Sequence, residues 1–131
     1  MKNEAPINGT WIDYYANGQK EQEGVFKDGK RNGPWTYWHE NGQKKREGAY
    51  RNGKPDGFAT FWSENGQKNR VVNYKDGNPD GPWVWWYENG NKMVEINYKD
   101  GKKHGLWVQW DEDETILKTR AYENGELIKE D

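Results

Sequence analysis

The 131-residue chain is long enough for one domain, and its net charge of −2 with a pI near 5.8 gives no overall basic field to attract nucleic acid. Cysteine is absent, which excludes a disulfide framework and thiolate chemistry. Only 31% of the residues are hydrophobic and 32% are charged, yet nine tryptophans and an aromatic content of 15% supply large side chains that a disordered chain lacks. We therefore expect a folded domain with a thin aromatic core.

The N-terminal residues predict no targeting or anchoring segment. No apolar stretch follows Met1, so the sequence indicates neither a signal peptide nor a transmembrane segment. We expect a cytoplasmic protein, although removal of a leader from a longer precursor would leave the same sequence.

A glycine recurs every 24 residues and marks a tandem repeat. The positions are Gly9, Gly33, Gly57, Gly81 and Gly105. A fixed period in this range is typical of repeat proteins, in which each unit buries its apolar side chains against its neighbours. We predict a lead-in of residues 1–7 and a single repeat domain of residues 8–131, with copies at 8–31, 32–55, 56–79, 80–103 and 104–131.

Each copy predicts one β-hairpin. The first strand is short and aromatic, as at 35–39, and the second is longer and more polar, as at 43–50. Asn-Gly pairs, as at 41–42 and 52–53, are strong hairpin signals because glycine readily takes positive φ. No window has helical periodicity. We expect the links between hairpins to hold Pro34, Pro55, Pro79 and Pro82.

The predicted fold is therefore all-β, an elongated single antiparallel sheet of five tandem hairpins. Ten strands in a meander would give a sheet about 48 Å long. Gly24 and Gly48 lie inside second strands, where glycine often permits close approach of a bulky neighbour. We expect a tryptophan to lie over each of these two glycines.

The links between hairpins resemble the MORN (membrane occupation and recognition nexus) repeat. In the fourth link, Tyr98 is followed by Gly101 and Gly105 and then by the apolar pair Leu106-Trp107. The Trp-x-x-Trp or Trp-x-x-Tyr strand and the Glu-Asn-Gly turn look like the bacterial variant of this repeat, commonly labelled an antitoxin-type protein of toxin–antitoxin systems. The resemblance covers residues 8–131.

The resemblance implies protein–protein contacts, scaffolding and sometimes lipid or membrane association. The antitoxin label implies a toxin partner that is neutralised by binding. Two copies depart from the pattern. Repeat three has Ala59 where the others have tryptophan, and repeat five replaces its hairpin turn by the acidic run Asp111 to Thr115.

The sequence indicates no enzyme, no metal site and no cofactor. His39 and His104 are almost three repeats apart, about 27 Å along the predicted sheet, which is too far to share a metal or a proton. Ser63 has no histidine in its hairpin, so a nucleophile–base pair is not expected. The acidic run at 111–114 lacks the spacing of a calcium loop. The glycines open no helix and form no phosphate cradle.

A column of lysines is one candidate binding surface. Lys20, Lys44, Lys68 and Lys92 recur at one position of the second strand and could follow an anionic lipid surface. Acidic columns run beside them, so a solubilising surface with cross-strand ion pairs is the alternative.

The aromatic columns give the second candidate surface. The column of Trp38 is aromatic in all five copies, which suits a structural core, and the column of Tyr37 faces the opposite side of the sheet. The Tyr37 column is aromatic only in the three central repeats, which suggests a partner-binding patch. The candidate residues are Tyr37, Phe61 and Trp85, flanked by Trp35 and Trp83.

The leading prediction is a non-enzymatic protein-interaction module that binds through this aromatic patch. By resemblance it is an antitoxin or immunity-type protein whose partner is a toxin. The alternative is a peripheral binder of anionic lipid through the lysine column, and stacking on a glycan is a third possibility. No nucleic-acid partner is expected, and the oligomeric state stays open.

Overall fold

The computed structural model describes residues 4–131, and all of their regular secondary structure is β. The thirteen strands are β1 (Gly9–Tyr14), β2 (Lys20–Lys27), β3 (Lys30–Trp38), β4 (Lys44–Arg51), β5 (Lys54–Pro55), β6 (Gly57–Trp62), β7 (Lys68–Lys75), β8 (Asn78–Pro79), β9 (Gly81–Trp86), β10 (Lys92–Lys99), β11 (Lys102–Trp110), β12 (Ile116–Glu123) and β13 (Glu126–Glu130).

The strands form one antiparallel sheet in which neighbours in space are neighbours in the chain. The short strands β5 and β8 pair only with the strand that precedes each of them. This confirms the all-β class and the single sheet of consecutive hairpins. The expected count of ten strands was too low, because the links pair as strands and β13 adds a strand after the fifth hairpin.

The link between the second and third hairpins begins with a tight turn. Asn52 and Gly53 both have positive φ, 52° and 82°, as a two-residue type I′ turn requires. Because the turn takes only two residues, the chain re-enters the sheet at once. Pro34 and Pro55, expected in the links between hairpins, therefore lie in paired strands: Pro34 pairs with Ala49 inside β3, and Pro55 pairs with Tyr50.

The glycine with the 24-residue period lies at a β-bulge. Gly33 has a φ of 77°, and no atom lies within 4 Å of the position that a Cβ would occupy there. The left-handed backbone, and not lack of space, therefore requires glycine. Beside Gly33 the register between β2 and β3 shifts by two residues, since Glu23 pairs with Thr36 but Val25 pairs with Asn32. The bulge therefore sets the register between successive hairpins.

The fifth hairpin loop has a strained residue where the other four have glycine. Glu114 has a φ of 67°, close to the 88° of Gly18 in the first loop. A left-handed non-glycine residue costs about 1 kcal/mol. We expect Glu114→Gly to raise the free energy of unfolding in urea by about 1 kcal/mol. Glu112→Gly, in the same loop at a position without positive φ, is the control and should bring no gain; equal effects of the two changes would contradict this account.

The core is thin and lies on both faces of the sheet. On one face Trp35 is 0% exposed, Val72 is 2% exposed and Ala59 is 3% exposed. Val84 and Val108 are buried on the other face. The column of Trp38, expected to form the core, is only half-buried in the four repeats where it is tryptophan. The deepest residues instead come from the column that contains Trp35 and Ala59 and from the column paired with it, which contains Val72.

Trp35 is completely buried in a single sheet because its ring lies flat against the backbone of Gly24. A Cβ on Gly24 would lie 2.1 Å from Cδ2 of the Trp35 ring. The ring is covered by Phe26, with centroids 5.1 Å apart, and by the Arg31 guanidinium at 4.8 Å. Its indole N–H donates to the Val25 carbonyl at 3.1 Å. The expected tryptophan over Gly24 is confirmed.

The same expectation for Gly48 was wrong. The side chain facing Gly48 is Ala59, whose Cβ would lie 2.8 Å from a Cβ on that glycine. Repeat three has alanine where its neighbours have tryptophan, so this junction pairs two small residues. Each glycine packs against the following repeat and not against the tryptophan of its own hairpin. Gly24 therefore meets Trp35, whereas Gly48 meets the alanine that replaces tryptophan in repeat three.

Candidate functional site

Three of the aromatic candidates lie in one row across five adjacent strands of the sheet. Direct register pairs join Tyr37 to Arg46, Arg46 to Phe61, Phe61 to Arg70 and Arg70 to Trp85. Directly paired residues point to the same face of a sheet. We call these five residues the aromatic–arginine row. At about 4.8 Å per strand it is roughly 19 Å long.

Arginine side chains stack between the rings of the row. The Arg46 guanidinium carbon lies 5.5 Å from the Tyr37 ring centroid and 5.3 Å from that of Phe61. The Arg70 guanidinium lies 4.1 Å from the same Phe61 ring. Cation–π attraction holds these groups over the rings. Phe61 is therefore the centre of the row, with a guanidinium on either side.

Neither arginine was among the site residues predicted from the sequence. The basic residues were predicted to form lysine columns, and Arg46 and Arg70 were not placed between the aromatic columns. The signal was present, because both residues occupy one position of the second strand in successive repeats. Using it requires the register between hairpins, which the bulges determine.

Three arginines around the row have no acidic partner in the described part of the chain. Neither Arg31, Arg46 nor Arg70 has a carboxylate oxygen within 4.0 Å. Their Nε atoms are buried and have no hydrogen-bond partner within residues 4–131. Arg31 does donate from Nη2 to Gln22, at a long 3.4 Å. The face therefore carries three half-buried positive charges that no carboxylate of residues 4–131 neutralises.

The remaining two candidates support the row from beside it. Trp35 is completely buried, so it offers no surface to a partner and acts as packing beneath Tyr37, whose ring centroid is 6.2 Å away. Trp83 is half-buried and lies 5.9 Å from Trp85. Its indole N–H donates to the Asn73 carbonyl at 2.9 Å. Both tryptophans pack beside half-buried members of the row.

Tyr37 remains a neutral phenol at physiological pH. Burial and a hydrogen bond between its hydroxyl and that of Tyr50, 3.2 Å away, raise the pKa of Tyr37 to about 12. Its neighbours Arg31 and Arg46 act in the opposite direction and lower the pKa. The hydroxyl is therefore available to donate or accept a hydrogen bond, but not as an anion.

The lysine column lies on the opposite face and is largely neutralised. Lys20 pairs with Glu23 at 3.0 Å, Lys44 with Glu47 at 2.6 Å, and Lys92 with Glu95 at 3.5 Å. Cross-strand ion pairs had been expected as the alternative to a binding surface, but each of these ion pairs lies within one strand. Lys68 has no carboxylate within 4.0 Å among the residues described, because Val71 stands where the other three repeats with a lysine in this column have glutamate.

The lysine column also covers the tryptophans of the opposite face. Lys20 lies over the ring of Trp38, and Lys68 lies 5.3 Å above the ring of Trp86. Lys92 lies over Trp110 in the same way. In each case the lysine of one repeat stacks on the tryptophan of the next. This stacking joins successive repeats and leaves less free ring surface for a ligand.

The two histidines make structural hydrogen bonds. His39 Nε2 lies 2.9 Å from the Trp62 carbonyl, and Tyr87 makes the equivalent bond to the Trp110 carbonyl at 2.8 Å. His104 Nδ1 accepts a long bond from the Asn124 N–H at 3.4 Å. Within residues 4–131 there is no group of three or more acidic, histidine or cysteine side chains that could hold a metal.

A cavity of about 490 Å³ opens at the hairpin loops of repeats three and four. Ser63, Lys68, Trp86 and Glu88 are among its lining residues. Ser63 stands where other repeats have the tyrosine or histidine that bonds to the next repeat, and its shorter side chain does not make that bond. The cavity therefore marks a gap between two hairpins.

The repeat pattern identifies the family. The family model described as the MORN repeat variant matches residues 7–28, 31–54 and 79–100, just over half of the chain. The chain belongs to the MORN repeat variant family. No curated protein matches it. Repeats of this family generally serve as non-enzymatic modules for binding. The three matches leave out repeat three, where Ala59 and Ser63 change the packing, and repeat five, where the hairpin glycine is replaced by Glu114.

The described residues include no helix of the length and apolar character needed to cross a membrane.

Proposed function

We propose that this chain is a protein-interaction module that binds a partner protein on the aromatic–arginine row. The observation that supports this is the row itself, in which Tyr37, Phe61 and Trp85 alternate with two arginines on paired strands. Aromatic residues and arginine are the types most enriched at the energetic centres of protein interfaces. Strands also hold these side chains in place before binding, which reduces the entropy lost when the complex forms.

We further propose that the partner is a toxin and that the chain is an antitoxin or immunity-type protein. The support is the resemblance of the Trp-x-x-Trp strand and the Glu-Asn-Gly turn to the bacterial variant of the repeat. Neutralisation by binding requires only that a rigid surface cover the toxin, and no catalytic group. The cytoplasmic location predicted from the sequence stays a prediction.

The alternative, binding to an anionic lipid surface through Lys20, Lys44, Lys68 and Lys92, has weaker support. Three of these lysines lie within 4.0 Å of a glutamate, so a lipid phosphate would have to compete with an existing ion pair. Stacking on a glycan has weaker support too. The rings of Trp38, Trp86 and Trp110, which it would use, have lysines above them.

Purification of the tagged chain from its native host, followed by identification of the bound protein, provides the partner for a direct test. We expect Phe61→Ala to weaken binding of that purified partner by about thirtyfold, because the ring is the platform for two guanidiniums. Tyr37→Ala and Trp85→Ala should also weaken it. Lys44→Gln and Lys68→Gln, on the opposite face, are the controls and should leave the affinity unchanged.

Unchanged binding of the partner by all three aromatic variants would rule out the row as the binding surface. Co-sedimentation with phosphatidylserine vesicles that Lys44→Gln and Lys68→Gln abolish would favour the lipid alternative instead. The toxin proposal has its own readout. The partner expressed alone should arrest growth, co-expression of the chain should restore it, and co-expression of the Phe61→Ala variant should not.

A further inference from the structure

We propose that the partner segment on the aromatic–arginine row is acidic, and that Arg46 and Arg70, with Arg31 beside them, bind its carboxylates. This inference rests on the proposed function, because it names the chemistry of the protein that occupies the same row.

The chain itself shows what such an arginine binds. On the same face in repeat five, the Arg120 guanidinium lies 4.7 Å from the Trp107 ring, in the same stacked arrangement as the arginines of the row. There a carboxylate completes the arrangement: Glu130 Oε2 accepts a hydrogen bond from Arg120 Nε at 2.6 Å. The bond from Arg120 lowers the pKa of Glu130. Trp107, Arg120 and Glu130 are direct register partners, so all three share one face.

The arginines of the row have the same stacking but lack the carboxylate. Arg46 and Arg70 lie over rings at 4.1–5.5 Å, and no acidic side chain of the described residues reaches them. Their buried Nε atoms have no acceptor within residues 4–131. A half-buried guanidinium that has lost water at Nε interacts more favourably with an incoming anion than a fully hydrated lysine ammonium does. Because Nε is covered, the partner's carboxylate would approach the terminal Nη atoms.

The spacing of the arginines defines the partner segment further. Arg46 and Arg70 are two strands apart, about 10 Å. A segment in the polyproline II conformation rises about 3.1 Å per residue with three residues per turn, so carboxylates three residues apart lie on one side and would meet both arginines. One of the two residues between them would then lie beside Phe61. A segment of the form acidic–x–apolar–acidic therefore fits the row.

A polypeptide fits better than a nucleic acid or a membrane. The chain carries 20 basic and 22 acidic residues, so no broad basic field surrounds the row to attract a polyanion. The row is about 19 Å long and alternates rings with charges. Such a surface suits a short stretch of side chains that are themselves both apolar and acidic.

The test uses a short fluorescein-labelled peptide with two glutamates three residues apart and a leucine between them. A control peptide has glutamine in place of both glutamates. We expect the glutamate peptide to bind at least tenfold more tightly than the control peptide and to shift the Nε–Hε NMR signals of Arg46 and Arg70. Arg46→Gln or Arg70→Gln should weaken it at least tenfold. Arg46→Lys, which keeps the charge but loses the planar fork, should give an intermediate loss.

Lys68→Gln is the matched control, because Lys68 also lies over a ring without an acidic partner but on the opposite face. It should leave the affinity for the peptide unchanged. Equal affinity for the two peptides, or an equal loss in Lys68→Gln, would overturn the inference. So would Arg46-dependent binding of phosphatidylserine vesicles or of a single-stranded oligonucleotide that is tighter than binding of the glutamate peptide.

The identified partner separates failure of this inference from failure of the proposed function. If Phe61→Ala weakens partner binding but Arg46→Gln and Arg70→Gln do not, the row binds the partner and the acidic chemistry is wrong. If none of the three changes matters, the row is not the interface. Thermal unfolding of each variant, expected to remain close to that of the wild type, shows that a loss of binding is not a loss of fold.

Discussion

Replacing Trp35 by alanine is expected to lower the free energy of unfolding by about 4 kcal/mol. Trp35 is 0% exposed and fills the space above Gly24. Its ring contacts Phe26 and the Arg31 guanidinium, and its indole N–H donates to the Val25 carbonyl. Alanine would leave a cavity, remove the hydrogen bond and free the guanidinium. Urea unfolding followed by far-UV circular dichroism measures the change.

The matched control is Trp86→Ala. Trp86 is a tryptophan of the same repeat array, but it is half-buried on the opposite face and is covered mainly by Lys68. Less apolar area is lost there, so we expect less than half of the Trp35→Ala effect. Equal losses at the two positions would show that burial of Trp35 does not determine the stability of the sheet.

Gly24→Ala is expected to lower the free energy of unfolding by about 3 kcal/mol. The new Cβ would lie 2.1 Å from Cδ2 of the Trp35 ring, far inside van der Waals contact. The ring cannot move away easily because it is completely buried. The loss should appear in the same urea experiment. It should also largely disappear in the Trp35→Ala background, where the ring that the methyl group meets is absent.

Gly48→Ala provides the comparison for Gly24→Ala. Its Cβ would meet Ala59 Cβ at 2.8 Å and Ala59 Cα at 3.3 Å, a milder overlap than the one with a tryptophan ring. We expect a loss of about 1 kcal/mol. If Gly24→Ala costs the same with and without Trp35, the close approach of ring and backbone is not the reason for glycine at this position.

The features of the fold that depend on local chemistry could be predicted from the sequence. The repeat period, the hairpins and the Asn-Gly or Asp-Gly turns all follow from glycine and its neighbours, and the left-handed φ of Asn52 and Gly53 confirms the turn. The tryptophan over Gly24 was also predictable, because an interior strand glycine indicates close approach of a neighbour.

The features that depend on register could not be predicted. The position of Arg46 between Tyr37 and Phe61 follows from pairing between two different hairpins. At the equivalent junction between β2 and β3, the bulge beside Gly33 inserts two residues and shifts the pairing between hairpins. Periodicity shows that columns exist, but it does not show which columns become neighbours across the junction.

The lysine–glutamate pairs give a second example. Residues three apart in a regular strand point to opposite faces, so Lys20 and Glu23 were not expected to meet. The register shifts near Tyr14, which pairs with Lys20 while Asp13 pairs with Gln22. The extra residue in β2, Glu21, places Lys20 on the same face as Glu23. The two side chains can therefore form the ion pair at 3.0 Å.

Footprinting of the complex tests the central claim most directly. The chain is labelled with hydroxyl radicals, alone and with its purified partner, and the modified side chains are quantified by mass spectrometry. We predict that the partner protects Tyr37, Phe61 and Trp85 and leaves Trp38 and Trp86, on the opposite face, as reactive as before. Protection of Trp38 and Trp86 with no change along the row would contradict the account.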